Sequence, residues 1–307
     1  MASNHEIQRL RALRPAMNLR ARMVQCVRAF FQERGFLEVE TPIRIPHPAL
    51  ELHIDAEPSG EAYLRTSPEL HMKRLIAAGY ETIFQIGPCF RRGEFGRIHH
   101  PEYSMLEWYR ANADYMTILA DTRELIIGLA RHVAGGTDIR YQGRPIDLGG
   151  SWMELTVEQA FTKFSNWNPV AHYDADRFHT DLVDRIEPAL PTDRPAVLMD
   201  YPAEAAALAR LKPGPSRVAE RWELYIGGLE LANTYSELTD PDAQQNRFAS
   251  WAEARRKAGK ETYPLDEHFM AALRAGLPPS GGAALGIDRL VMLFSDAASL
   301  DEVLPFR

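Results

Sequence analysis

A chain of 307 residues, 45% hydrophobic and 25% charged, is long enough for one large domain or two small ones and has the composition of an ordinary soluble globular protein. Its formal net charge of −7 and the lack of a dense Lys/Arg block argue against tRNA or DNA as the main partner. No apolar run approaches the roughly 18 to 20 residues of a membrane span, the start Met1-Ala2-Ser3-Asn4-His5-Glu6 lacks a signal-peptide layout, and Cys26 and Cys89 have no metal-site spacing, so two buried thiols in a reducing cytoplasm are expected.

Residues 1–14 read as an extension. Pro15 sits where a helix can begin without losing a hydrogen bond. Leu19, Met23, Val27 and Phe30 form its apolar stripe, and Gly35 its stop. Residues 36–40 alternate as a strand and 63–66 make a short one. Ser67 then caps a helix with Pro68 at its first position and Glu69 in its first turn, ending at Gly79. Residues 82–86 and 89–91 read as two short strands, and 103–109 as a longer one. Asp114 caps a helix whose apolar side runs from Tyr115 to Leu129. Residues 139–148 make a hairpin turning at Gln142-Gly143.

The proline-rich stretch 165–217 reads as an irregular insertion around a sheet, with a strand at 196–201, rather than a second core. Residues 221–235 form a strand pair turning at Gly227-Gly228. Asp240-Pro241 opens a charged helix to about Lys257, and Asp266 caps another ending at Gly276. Residues 278–282 read as a loop, and 284–294 as a strand end running into the last helix. No repeat, G-x-G-x-x-G or Walker A sequence is present. An α+β fold with an antiparallel sheet flanked by helices follows.

The chemistry-bearing residues gather in three stretches. The first is Phe90-Arg91-Arg92-Gly93 through Glu107-Trp108-Tyr109, read as strand, charged loop, strand. A guanidinium at Arg91 can hold an α-phosphate oxygen and stabilise charge growing on it. Arg97 and His99, across the loop, are within reach of outer phosphates. By strand parity Tyr103, Met105, Glu107 and Tyr109 share one face. Tyr103 can stack on adenine and Glu107 can hold an ammonium, although half-buried sheet packing also explains the two tyrosines. The second stretch, Gly286-Ile287-Asp288-Arg289, puts an arginine at a helix start, placed to stack on adenine and approach a γ-phosphate. The third runs from Gly228 to Glu237 and carries Glu230, Asn233 and Glu237. Its two carboxylates have opposite parity, so a shared Mg²⁺ site needs a β-bulge between them. Glu69, Glu107 and Glu237 form a negative surplus suited to a diamine.

These stretches resemble motifs 2 and 3 of the class II lysyl-tRNA synthetases, in order and spacing, over nearly the whole chain from about residue 15 onward; the first long helix, strand and proline resemble motif 1, a dimer interface in that family. With only residues 1–14 ahead of that helix, no anticodon-binding domain is expected, and the chain is more similar to the stand-alone paralogues, the elongation factor P–(R)-β-lysine ligases. Thr66-Ser67-Pro68-Glu69 and Ala284, where the synthetases have glycine, support that likeness. The resemblance implies one catalytic domain over 15–307, a homodimer, ATP and Mg²⁺ as cofactors, and transfer of (R)-β-lysine to a lysine of elongation factor P. By it Ser67, Pro68, Glu69, Glu107, Tyr109, Asn233, Glu237 and Ala284 face the amino acid. Arg91, Arg92, Gly93, His99, His100, Tyr103, Glu230, Leu231, Gly286 and Arg289 face ATP, with Arg91 and Arg289 catalytic and Glu230 and Glu237 on the metal. The chain departs from the family at Arg92-Gly93, where Asn-Glu is usual and the glutamate reads adenine. Two other functions stay open: a truncated synthetase making lysyl-adenylate or acylating tRNA, and a non-catalytic amino-acid sensor.

Overall fold

The computed structural model describes residues 2–214 and 217–307. Helix α1 (Ala2–Ala12) occupies the expected extension, and Arg9 within it donates to the Pro305 carbonyl, which ties the two ends of the chain together. Helix α2 (Arg14–Glu33) starts with Pro15 and stops before Gly35, whose φ of +77° is the left-handed turn glycine makes easily. Its buried stripe is Ala16, Leu19, Met23, Val27 and Phe31; Phe31, four residues after Val27, takes the core position expected of Phe30. Cys89 is buried, whereas Cys26 is only half-buried.

Strands β1 (Leu37–Glu38), β2 (Arg44–Ile45), β3 (Pro58–Ser59) and β4 (Ala62–Leu64) are short. Helix α3 (Glu69–Ala77) follows, and the Ser67 hydroxyl accepts from the Glu69 amide at 3.2 Å. Strand β5 (Thr82–Phe90) is continuous where two pieces were expected. Its β1 partner covers only Ile83 and Phe84, so the missing N–H of Pro88 falls on an open edge and breaks no ladder there. After β6 (Glu102–Ala111) comes α4 (Tyr115–Ala134), whose first turn is capped by Asp114 accepting from the Thr117 amide. The hairpin β7 (Asp138–Tyr141) and β8 (Arg144–Asp147) turns at Gln142 and Gly143, both at positive φ.

The stretch 165–217 differs most from expectation; its residues 215–216 lie outside the described residues. Strand β9 (Met153–Thr156), helices α5 (Val157–Ser165) and α6 (Ala175–Asp181), a π-helical turn over Leu182–Ile186 and strand β10 (Ala196–Pro202) enclose a small core of their own. Phe161, Phe178, Ile186, Leu198 and Tyr201 lie in it. Strands β11 (Val218–Ile226) and β12 (Leu229–Ser236), helices α7 (Pro241–Lys257) and α8 (Glu267–Gly276), strand β13 (Ser280–Gly286) and helix α9 (Ile287–Ser295) complete the chain. Ser280 to Gly282, read from sequence as loop, are part of β13.

Among the described residues the main sheet has eight strands, in the order β1-β5-β6-β13-β12-β11-β10-β9. The six inner strands are antiparallel, as expected, and each edge adds one parallel strand, β1 on β5 and β9 on β10. The largest core cluster packs α2, α4 and α9 against one face of this sheet. A second cluster seats α3, α7 and α8 near the opposite face, beside Tyr109 and Tyr235. Inward positions of β6, β12 and β13 between these helices are left to face a cavity.

Candidate active site

The cavity has a volume of about 900 Å³ and is floored by β6, β13, β12 and β11. Of the residues expected to face ATP or amino acid, all but Pro68 and Arg92 line it. Pro68 lies at the start of α3, and Arg92 is exposed, with its amide donating to the Asp55 carbonyl at 2.7 Å.

At one end stand the two arginines. Arg91 follows β5, its amide held by the Pro101 carbonyl at 2.8 Å. Its guanidinium carbon lies 5.3 Å from the centre of the Tyr103 ring, and its buried Nε has no hydrogen-bond partner among the described residues. Its ion pair with Glu94 is long at 3.8 Å, so among the described residues no carboxylate hydrogen-bonds this cation. Tyr103 thus packs on the guanidinium, and its hydroxyl donates to the Thr66 carbonyl at 3.1 Å.

Arg289 comes from the first turn of α9. That turn is fixed by Asp288, which pairs with Arg20 of α2 and accepts from the Ser104 amide of β6 at 2.7 Å. Arg289 donates to the Glu230 carbonyl at 2.8 Å and meets His99 Nε2 at 2.7 Å. Burial, then the charge of Arg289, depress the His99 imidazolium, so the neutral ring accepts that bond. Both arginines act electrostatically on His99 and on Glu230, which places them around one space. Arg97, expected at the outer phosphates, instead donates to the Ala298 carbonyl, away from the cavity.

The carboxylates divide differently from the sequence reading. The register passes from Leu224–Ala232 to Tyr225–Glu230, leaving Leu231 as an extra residue. This is the bulge that parity demanded, and it turns both Glu230 and Glu237 to the cavity. Seven residues of strand still separate them by roughly 20 Å, too far for one metal ion. Glu237 is held by Lys73 Nζ at 2.5 Å, at the other end of the site. The carboxylate facing Glu230 is Glu223, across the β11–β12 hairpin; after burial, its charge is the largest influence raising the Glu230 carboxyl. That repulsion is what a divalent cation would relieve. Among the described residues no set of three His, Cys, Asp or Glu stands close enough to hold a metal alone, and Mg²⁺ is commonly held by one or two carboxylates together with substrate phosphates. The residues present therefore fit Mg²⁺ arriving with a polyphosphate, at Glu230 and Glu223 rather than at Glu230 and Glu237.

At the far end Glu69, Glu107, Tyr109 and Glu237 converge. Lys73 is 1% exposed and forms ion pairs with both Glu69 and Glu237. Glu107 is also almost fully buried; Tyr109 donates to its Oε1 at 2.6 Å, and among the described residues its Oε2 has no partner. Burial and then the Glu69 charge push its carboxyl up to about 8. Ala284 of β13 stands in register with Glu107, and Gly282 with Tyr109. A Cβ on Gly282 would lie 2.3 Å from the Tyr109 ring and 2.7 Å from Glu237 Oε1, so this strand must be bare there. Ser67 lines the same end, while Asn233 contacts Arg221 and Glu223.

Sequence reasoning missed Lys73, Glu223, Arg221 and Glu51. Lys73 lies four residues after Glu69, a spacing that usually marks an exposed helix pair. Arg221 and Glu223 sit on inward positions of β11 and pair at 2.5 Å; their parity relative to Trp222 was the available signal. Arg221 is sandwiched between the rings of Tyr201 and Tyr235.

Comparison with known proteins agrees with this geometry. The model of the family "tRNA synthetases class II (D, K and N)" matches residues 5–307. A lysine–tRNA ligase of Carboxydothermus hydrogenoformans is 35% identical over 96% of this chain and 65% of that protein. One of Azoarcus sp. is 36% identical over 94% of this chain and 62% of that protein. The chain thus spans less than two thirds of the length of these ligases. An elongation factor P–(R)-β-lysine ligase of Hamiltonella defensa is 38% identical over 95% of both chains. With residues 5–307 matched, this chain belongs to the class II tRNA synthetase family of the D, K and N type.

Proposed function

We propose that this protein uses ATP and Mg²⁺ to activate a diamino acid, (R)-β-lysine foremost, as its adenylate and transfers the acyl group to a lysine ε-amino group of elongation factor P. The observation that carries the activation step is the pair Arg91 and Arg289 facing one cavity, Arg91 with an unpartnered buried Nε. The acceptor rests on the similarity to the Hamiltonella defensa ligase, which matches over 95% of each chain.

In the first step a carboxylate oxygen of the amino acid bonds to the α-phosphorus, and the bond to the β-phosphate breaks to release pyrophosphate. Arg91 lies where a guanidinium stabilises the charge on the α-phosphate oxygens, and neutral His99 holds Arg289 toward the outer phosphates. Bound with the nucleotide, Mg²⁺ would supply further neutralisation of phosphate charge from Glu230 and Glu223. In the second step the neutral acceptor amine attacks the acyl carbon, AMP leaves with the oxygen, and the amine proton is lost. No side chain in the site is arranged as a nucleophile with its own base, so transfer is direct.

A cytoplasmic homodimer belongs to the same proposal, with residues 15–307 as the catalytic domain and the α2 face at the dimer contact; sedimentation of the free protein at micromolar concentration tests the dimer. Pyrophosphate–ATP exchange dependent on (R)-β-lysine, followed by acylation of elongation factor P, tests the function; no exchange with any lysine isomer removes it. A second reading is favoured by the lysine–tRNA ligase relatives: lysyl-adenylate formation with transfer to tRNA. Acylation of tRNA in preference to elongation factor P supports that alternative.

A further inference from the structure

Several carboxylates of the cavity have no ion pair among the described residues, and two of them, Glu107 and Glu51, act on or are acted on by Glu69 at the amino-acid end. Glu69 and Glu237 share Lys73. Glu107 has Tyr109 on one oxygen and nothing on the buried other, so it calls for a cation at the inner end. The second is Glu51, in the loop between β2 and β3, which none of the preceding roles uses. It lines the same cavity as Glu69, Ser67 and Arg91, and among the described residues no side chain hydrogen-bonds or pairs with its carboxylate. The charges that reach it are those of Glu69, Arg91, Arg221 and Lys73, whereas Glu107 is influenced by Glu69, Lys73 and Glu237. The loop of Glu51 is tied to the Arg91 end through the Arg92 amide on the Asp55 carbonyl, whereas Glu107 is bonded to Tyr109 at the inner end beside Gly282 and Glu237.

The loop carrying Glu51 is held rigidly. Arg255 of α7 is fully buried and spends its guanidinium on it: Nη1 donates to the Glu51 carbonyl at 2.8 Å and the Ile54 carbonyl at 2.9 Å, and Nη2 to the Asp55 carboxylate at 2.7 Å. The Asp55 carbonyl in turn accepts from the Arg92 amide at 2.7 Å, which couples this loop to the strand end that presents Arg91. With its Nε on the Glu261 carbonyl at 2.7 Å, this buried guanidinium ties the Glu51 loop to the segment after α7 and so restrains where the Glu51 side chain goes.

We propose that Glu51 is a specificity-determining residue that receives the ammonium group nearest the reacting carboxylate, while Glu107 receives the distal one. Arg255 is the positioning residue that holds Glu51 at that distance from Arg91. Of the unpaired carboxylates, these two stand nearest Glu69 and so match the two ammonium groups, and the offset of Glu51 from Arg91 decides whether an amine on the second or the third carbon is accepted. This inference rests on the diamino-acid reading of the site.

The test uses the full chain and compares wild type, Glu51→Gln, Glu51→Asp and Arg255→Lys in pyrophosphate exchange. The substrates are (R)-β-lysine, α-lysine and 6-aminohexanoate, which lacks the proximal amine. Loss of a charge-assisted contact predicts that Glu51→Gln raises KM for the preferred diamino acid about 10- to 100-fold. KM for ATP and the weak use of 6-aminohexanoate stay unchanged, so discrimination between the two substrates collapses. Glu51→Asp recovers part of the affinity and shifts the ratio of β- to α-lysine, and Arg255→Lys shifts that ratio in the same assay. Equal losses for the diamino acid and 6-aminohexanoate, a change in KM for ATP alone, or no change at all overturns the proposal. If the wild type shows no exchange with any of these, the activation reading fails separately. Calorimetric binding of α-lysine against 6-aminohexanoate then still decides for Glu51: a preference lost in Glu51→Gln sustains it, and a preference kept, or none to begin with, refutes it.

Discussion

Arg91 carries the most weight of any single residue. A planar fork that among the described residues hydrogen-bonds no carboxylate is placed for an anion, and a lysine there keeps the charge but loses the bidentate geometry. Arg91→Lys is predicted to lower the exchange rate about 100-fold or more while the thermal midpoint stays unchanged; a loss of stability without loss of rate refutes the role. Glu107 gives a pH signature. Its carboxyl is raised to about 8, so it is mostly neutral at pH 7 and ionises as pH rises. An ammonium binds the ionised form, so KM for the diamino acid should fall about fivefold between pH 7 and pH 8. In Glu107→Gln that dependence should vanish; a parallel profile in the variant contradicts it. Residue identities were the most legible part of the site, because Arg91, Glu107, Tyr109 and Arg289 lie in compact stretches with clear parity. Lys73 was not, because nothing in the sequence separates a buried helix lysine from a solvated one.

At the level of elements, β13 and α9 connect fold to chemistry. The run Gly281-Gly282-Ala283-Ala284 leaves β13 nearly bare where it crosses β6 and β12. A methyl at Gly282 cannot fit without moving Tyr109 or Glu237. Gly282→Ala should therefore raise KM for the amino acid at least tenfold, a cost of about 1.4 kcal/mol or more, with KM for ATP little changed; an equal rise in both would mean the strand itself has shifted. Helix α9 is anchored by the Arg20–Asp288–Ser104 contacts. Arg20→Met should loosen Arg289 and raise KM for ATP several-fold, although Arg20 lies far from it in sequence; unaltered nucleotide kinetics would dissociate α2 from the site. Helix starts at Pro15, Asp114, Asp240 and Asp266 were legible because caps are local. The continuity of β5, the bulge at Leu231 and the approach of Glu223 to Glu230 were not, because each depends on the neighbouring strand.

The whole molecule is a mainly antiparallel sheet with α2, α4 and α9 on one face and, beside α3, α7 and α8 on the other, a large cavity rich in carboxylates, and this has a cost. Glu51 and Glu107 hold carboxyls raised to about 7 and about 8, chiefly by burial. The folded state then binds more protons than the unfolded one between about pH 4.5 and 8. Stability contributed by their neutral forms is present below that window and is lost as pH rises through it. The free protein should melt lower at pH 8.5 than at pH 6, and a diamino acid should raise the midpoint more at pH 8.5; a ligand shift that shrinks with pH argues against ionised acceptors. The general class of fold was readable from the order of hairpins and capped helices. The small core around Phe161 and Phe178 was not, because its stretch is punctuated by proline and lacks any sustained period.

The most direct measurement is a crystal structure of the full chain with a non-hydrolysable ATP analogue and the diamino acid. The account predicts one nucleotide with Arg91 nitrogens about 3 Å from an α-phosphate oxygen, Arg289 on the opposite side of the same nucleotide, and the amino acid between Arg91 and Glu107. A nucleotide held by only one of the two arginines, or bound outside this cavity, would contradict it.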